Sequence, residues 1–510
     1  MVATLRMFMW GYQQHFANFL QRYAERVLSR LGARLGHSTL LVGVLRPGET
    51  NALPICIEPE NGPLKEALFT NLADQIESIR RNHPDKDVRF GDEPRNRDHP
   101  EQIRRDSVRQ AVAARLSDHD QVAGTSSLLS DPQIVGKYDV CPVLQFRAED
   151  WNRLLQLKKE EYQGYALYRG LVEAVVYKIL RDAVIALGKK DPGRYFDTFE
   201  RDEIDVLRSA GRQLMYSAAC VGGNVDGLDG LLFEECNKIA SRRDEGREGA
   251  GGMVIARKGH PAIQVELQLT ESIPLSDPGW ARKILQVASP DLSLLSDGVN
   301  VYGLGSLGDK YDAGAEDAFI VRFLGHHKWE LRHSDDVLMR VEYSVPELPR
   351  PKLDESSFKE KAARVFGGLR PGDAEELWRV VSTAIRQSHG TLIVITPAAE
   401  TEAQRLRHQG TAIAPLRLTN EMITRVTSID GALLIDRSGI CHAIGVILDG
   451  LASPKGTPSR GARFNSAIRY VESAKSANTE VLAIVVSEDG SVDVLPDLPA
   501  QVEALKKKGC

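Results

Sequence analysis

The stretch SIDGALLIDRSGICHAIGVIL, residues 428 to 448, reads as two strands around a turn: GALLID and CHAIGVIL are apolar runs of strand length, and Arg437-Ser438-Gly439 supplies the turn chemistry between them. Working outward, TLIVIT (391–396) and VLAIVVS (481–487) are two further strands. Helical spacing marks residues near 356–366 and 373–387, and a helix from about Gly461 to Ser476 separates the last two strands. Strands and helices in this order predict an α/β (α+β) domain, a mixed sheet flanked by helices.

The Pro-rich run PELPRPKLDES, residues 346 to 356, reads as a linker in front of that domain. Upstream, an amphipathic N-terminal helix leads to the strands HSTLLVGVL and PICIEPE, and residues 63–79 read as a helix. Residues 80–109 are charged, contain three prolines and read as a long loop. Residues 150–188 carry a helical pattern with Trp151, Leu155, Leu171, Val175 and Ile179 on one face, and 201–220 is another helix. From MVIAR (253–257) to about Val345 the chain reads as successive strands. The expected division is an α/β region 1–145, a helical plus β-rich domain 146–345, the linker 346–355, and a C-terminal domain 356–510.

Bulk numbers agree with folded domains. The chain has 510 residues, 42% hydrophobic and 26% charged, with a formal charge of −5 spread without blocks, so neither nucleic acid nor an anionic membrane is indicated as a partner. The N-terminal helix is interrupted by Gln, His and Arg, so no signal peptide or transmembrane segment is expected. Six dispersed cysteines form no CxxC pair, which suits a reducing cytoplasm.

Three places carry chemistry. Asp430 stands before Gly431, where a ligand can approach the backbone, and Ala432 opens the strand. The run PKGTPSRGAR (454–463) opens a helix with free N–H groups and a positive dipole end, a setting for phosphate to which Arg463 adds a forked contact. Ser487 and Glu488 end the last strand. The plain alternatives are a turn-capping Asp430, a surface ion pair at Arg463, a helix-start hydroxyl at Ser466 and an ordinary strand end.

Taken in order, His389-Gly390 before TLIVI, Asp430-Gly431-Ala432, Gly461-Ala462-Arg463-Phe464-Asn465-Ser466-Ala467 and VVSED resemble the DisA-type diadenylate cyclase domain over roughly residues 355 to 510. The resemblance implies condensation of two ATP into cyclic di-AMP and two pyrophosphates, regulated by the N-terminal region. It also implies Mg²⁺ or Mn²⁺, held by Asp430 and Glu488, and a homodimer or higher oligomer that brings two sites together. On it, Asp430, Gly431 and Arg463 are catalytic, while Ala432, Gly461, Ala462, Phe464, Asn465, Ser466, Ser487 and Glu488 bind nucleotide. Ala462, Phe464 and Asn465 stand where the family has Thr, His and Arg, and Phe464 offers a ring to an adenine. The alternative is a sensor that binds ATP or a cyclic dinucleotide without turnover.

An internal likeness is also visible. Leu267–Gly305 reads against Leu416–Gly445, with Asp291 and Asp297 spaced like Asp430 and Asp436, but with Leu292 and Ser293 in place of the glycine and alanine. Two readings follow: the middle domain is a degenerate copy of the C-terminal fold serving as sensor or dimer partner, or two amphipathic β-rich segments look alike by composition.

Overall fold

The computed structural model describes residues 8–33, 35–162, 165–223, 231–242, 251–289, 292–349, 353–387, 389–451, 461–487 and 492–496. The chain forms two compact units, Met1–Pro349 and Arg350–Cys510.

The first unit opens with α1 (Gln13–Leu31), whose Phe16, Leu20, Tyr23, Val27 and Leu31 recur at helical spacing and are buried. Then come β1 (His37–Leu45), β2 (Ile55–Glu58), α2 (Leu72–Arg81), α3 (Glu93–Ala123), β3 (Thr125–Leu129), β4 (Gln133–Val135) and β5 (Tyr138–Arg147). The strands make an antiparallel sheet in the order β2-β1-β5-β3, with β4 also on β5. After α4 (Ala148–Asn152) and the small hairpin β6 (Glu161–Tyr162) and β7 (Tyr165–Ala166) follow α5 (Leu171–Leu187) and α6 (Glu203–Gly222), and α1 packs on both of these helices.

Two expectations fail here. The loop expected over residues 80–109 is largely the 31-residue helix α3. Pro94 sits in its first turn, where no N–H is needed, and Ile103, Val108, Ala111, Val112 and Leu116 make a buried stripe that the density of charge hides. The continuous helix expected over 150–188 is only α4 and α5. Gly170 stands extended ahead of α5, and a Cβ there would meet the Leu155 carbonyl at 2.8 Å, so the chain doubles back between the two helices.

A fully buried carboxylate ties this region together. Asp139 of β5 accepts from Arg46, just past β1, at 2.8 Å and from Arg104 of α3.

The unit continues with α7 (Leu232–Ser241), β8 (Gly251–Ile255), β9 (Ile263–Pro274), α8 (Pro278–Leu285), β10 (Ser293–Ser296), β11 (Asn300–Leu307), β12 (Phe319–Gly325), β13 (Lys328–His333), β14 (Asp336–Glu342) and β15 (Val345–Glu347). The sheet order is β15-β14-β13-β12-β8-β10-β11-β9, with β8 and β10 parallel and the other neighbours antiparallel.

The second unit holds α9 (Glu355–Val365), α10 (Pro371–Ile385), β16 (Thr391–Ile395), α11 (Ala399–Arg405), β17 (Thr411–Arg417), α12 (Asn420–Val426), β18 (Ala432–Ile435), β19 (Ile440–Val446), α13 (Ala462–Ser476), β20 (Leu482–Val486) and β21 (Val492–Leu495). Its order is β17-β19-β18-β16-β20-β21, with β16 and β18 parallel. Side chains from opposite faces of these strands enter two separate apolar clusters. Ile393, Leu433 and Ile484 meet Leu377 and Val381 of α10, while Val394, Leu434 and Val485 meet Ala403 of α11 and Ala467 and Val471 of α13. Burial on both faces explains why these strands are apolar throughout. The expectation of a mixed sheet flanked by helices is met; β17, α11, α12 and β21 are additions to it.

From β9 to β13 the middle sheet repeats this plan. The path β9-β11-β10-β8-β12-β13 matches β17-β19-β18-β16-β20-β21 in order and in direction, and α8 sits between its strands as α12 does. Leu294 pairs with Met253 as Leu433 pairs with Ile393. The Ala256 N–H donates to the Ser296 carbonyl at 2.9 Å, and the Thr396 N–H to the Ile435 carbonyl at 3.0 Å. Asp297 and Asp436 both accept turn N–H groups after these strands. Register thus puts Leu292 at the place of Gly431 and Ser293 at that of Ala432, as the sequence likeness has it; Asp291 lies outside the described residues. The opening LQLT and LRLT are not equivalent, because Ile273, not Leu267, opposes Val301 as Leu416 opposes Cys441.

Helix α13 is held by a polar network. Arg405 of α11 grips Asp449 at 2.6 and 2.8 Å and Glu402 at 2.8 and 2.9 Å, and Tyr470 of α13 donates to Glu402 at 2.7 Å. The Arg405 hydrogen bonds hold both carboxylates below their ordinary range.

Replacing Asp139 by Ala leaves two arginines without their buried partner and is expected to cost about 3–5 kcal/mol, read from urea unfolding of the full chain. Glu402 and Asp449 have lowered folded values, so their contribution is complete above about pH 5 and is lost as pH falls through the carboxylate range. Thermal melts of the full chain should show this acid loss, and Arg405→Ala should lower Tm at neutral pH and flatten the acid slope.

Candidate functional site

The parallel pair β16 and β18 puts their N-terminal ends side by side, next to the C-terminal end of antiparallel β20. Asp430 precedes β18, Gly390 precedes β16, and Ser487 follows β20. The start of α13 comes to the same place. The Arg463 Nη2 lies 3.4 Å from Asp430 Oδ1, and a Cβ on Gly390 would stand 2.7 Å from the Arg463 guanidinium and 3.1 Å from the Val486 carbonyl.

Gly431 has φ +110°, and a Cβ there would lie 2.5 Å from the Gly445 carbonyl carbon. Any side chain would both strain the backbone and collide with β19. The two glycines therefore let β18 and β19 close up directly behind Asp430, whose own side chain remains 83% exposed. Ala432 is fully buried at the head of β18.

Gly461 caps α13 without a side-chain bond, and the helix runs 15 residues, so its first N–H groups face the site with the positive dipole end. Ala462 is exposed and Arg463 half-buried. Phe464 packs against the α13 side of the sheet core. Asn465 and Ser466 are half-buried, and Arg469 reaches the Asn465 carbonyl at 3.1 Å and the Ser466 hydroxyl at 3.4 Å. Ser487 is half-buried at the strand end. Glu488 and the approach Pro454–Arg460 lie outside the described residues.

The structure thus brings together Asp430, Gly431, Ala432, Gly461, Arg463 and Ser487 of the expected residues. Sequence reading passed over His389, Gly390 and Gly445 as site residues. His389 Nε2 is buried without a hydrogen-bond partner among the described residues, right at the site's edge. An isolated glycine inside CHAIGV is a usable signal for close backbone approach.

Among the described residues no cluster of three or more His, Cys, Asp or Glu side chains forms a metal cage. One exposed carboxylate, Asp430, beside an open helix N-terminus is of the chemistry that suits a hard divalent cation completed by other oxygen ligands. Among the described residues no helix is long and apolar enough to cross a membrane.

Comparison with curated proteins gives no match. Among solved structures, DacA from Staphylococcus aureus, as a cysteine double mutant, is 28% identical over 24% of this chain and 82% of its own, with a TM-score of 0.20. A hypothetical membrane spanning protein from Bacillus cereus is 19% identical over 27% of this chain and 66% of its own, with a TM-score of 0.21. Residues 9–215 match the probable sensor domain DACNG, residues 231–335 the probable sensor domain DACNH, and residues 379–497 the DisA bacterial checkpoint controller nucleotide-binding (DAC) model. The chain therefore carries a DisA-type DAC nucleotide-binding domain at its C-terminal end, behind two probable sensor domains.

Proposed function

We propose that the chain is a diadenylate cyclase that condenses two ATP into cyclic di-AMP and two pyrophosphates. The observation that carries this reading is the meeting of Asp430 and Arg463, 3.4 Å apart, over the glycine-lined end of β16 and β18 at the start of α13. The triphosphate lies at the helix N-terminus, with Arg463 offsetting its charge. Asp430, released from Arg463 by the incoming phosphate, accepts the proton of the ribose 3′-hydroxyl. The 3′ oxygen attacks the α-phosphorus of the second nucleotide, the bond to the β-phosphate breaks, and pyrophosphate leaves. The same step with the roles exchanged closes the ring, so two sites must face each other in a homodimer or larger assembly. Asp430 and Glu488 would hold Mg²⁺ or Mn²⁺, which would supply charge neutralisation on the phosphates.

The reading that Ala462, Phe464 and Asn465 mark a nucleotide sensor without turnover is favoured by one observation. Phe464, at the family's histidine position, is half-buried and packs against the core. The two readings share a nucleotide site and differ in product.

The N-terminal region is the proposed regulator. Its cleft of about 1150 Å³ lies between α3, the β3 end and α5, and is lined by Arg105, Arg109, Trp151, Tyr168, Arg169 and Tyr177. The size suits a small-molecule signal.

Purified full chain incubated with ATP and Mn²⁺ or Mg²⁺ should yield cyclic di-AMP, identified by mass. Asp430→Asn and Arg463→Ala should each lower the rate by about a hundredfold or more while the melting curve holds. ATP binding with no product under any metal would favour the sensor. Gly431→Val should abolish product and lower Tm, because its Cβ has no space beside Gly445.

A further inference from the structure

The middle copy keeps the frame and loses the chemistry. Register puts Leu292 at Gly431 and Leu324 at Ser487, while Leu304 and Gly305 follow Val301 as Ile444 and Gly445 follow Cys441. In place of α13, residues between β11 and β12 form a loop with one short turn at Ala313–Ala315. A leucine where Gly431 lets the strands close up behind Asp430, together with no counterpart of α13, removes the features that make the C-terminal site.

What the copy gains is an edge. Strand β9 is the counterpart of β17, but it spans 12 residues against 7. Its Leu267 stands where β17 begins with Thr411, and Ile263–Glu266 extend beyond that point. Val265 and Leu267 are 46% and 47% exposed. Edge strands are ordinarily blunted by charged side chains, above all lysine, by proline, by bulges or by shortness. The opposite edge of the same sheet, β15, has 3 residues including Pro346, and β17 carries Pro415 and Arg417. In β9 there is no basic residue and no proline before Pro274; its register shifts near Glu266 and over Leu269–Ser272 twist the strand without adding charge.

We propose that the middle domain is a duplicated cyclase fold turned to association, and that its β9 pairs antiparallel with β9 of a second copy of this chain. Self-pairing suits the charges. Glu266 and Glu271 are the strand's charged residues, and a two-fold register centred near Leu267 sets both opposite uncharged partners. Val265 and Leu267 of the two copies then cover one another. The consequence for catalysis rests on the cyclase reading above: a reaction between two bound nucleotides gains from any contact that raises the local concentration of the second site.

The test is sedimentation of the full chain over a concentration series. The wild type should dimerise, and the double variant Val265→Lys, Leu267→Lys should raise the dissociation constant at least tenfold with an unchanged circular dichroism spectrum. Leu416→Lys, on the equivalent strand of the cyclase domain, should leave it unchanged. Should the lysine pair unfold the domain, a single Leu267→Glu serves the same reading. A monomeric wild type, or a dimer indifferent to both β9 variants, overturns the proposal. Product assays run in parallel separate the two ideas, because dimer loss is read whether or not cyclic di-AMP is made. If it is made, its rate per chain at low concentration should fall about tenfold with the dimer, and an unchanged rate would overturn the catalytic consequence.

Discussion

Everything in the C-terminal domain depends on one parallel pairing, β16 against β18, buried on both faces. Parallel neighbours cannot be joined by a tight turn, so the chain must leave and return. It does so through α11, the outer strand β17 and α12. The same constraint puts two strand starts side by side at one end of the sheet, with the end of antiparallel β20 beside them. Backbone at strand ends has N–H and carbonyl groups to spare, so that end is where polar chemistry is least costly to place.

The middle sheet obeys the same constraint with β8 and β10, and its crossover again runs through an outer strand and a helix. Comparing the two separates what the frame requires from what the ligand requires. Apolar residues on the strands, the turn aspartates Asp297 and Asp436, and the crossover helix appear in both. Gly431 and the arginine-bearing helix belong to the C-terminal domain alone. A sheet of this strand order forms in the middle domain without them.

Much of the C-terminal domain was legible because strands covered on both faces announce themselves as unbroken apolar runs, and because Gly461 and Arg463 mark a helix start. Strand β17 was not, since an exposed edge with Pro415 has neither an apolar run nor clean alternation. Helix α3 was hidden by charge: arginines and carboxylates recur along it, pairing as Arg105 with Glu101 and Arg109 with Asp106, and only a narrow stripe is buried. At the site, Asp430 and Arg463 could be named from motif order, whereas the meeting of Arg463 with Gly390 joins residues 73 positions apart in the sequence, and only the pairing of β16 with β20 brings them together. His389 carries no local pattern at all; its unpartnered nitrogen is a property of the fold.

The short loop that stands between β11 and β12, where the C-terminal domain has α13, carries a lesson about modularity. A sheet of this order closes whether the connection is eleven residues or thirty-five, because both connected strands already have their neighbours. Helix α13 nonetheless covers one face of the sheet with Ala467, Ile468, Tyr470 and Val471. A replacement for this connection, from the end of β19 to the start of β20, would have to bring its own apolar face to meet Val394, Leu434 and Val485.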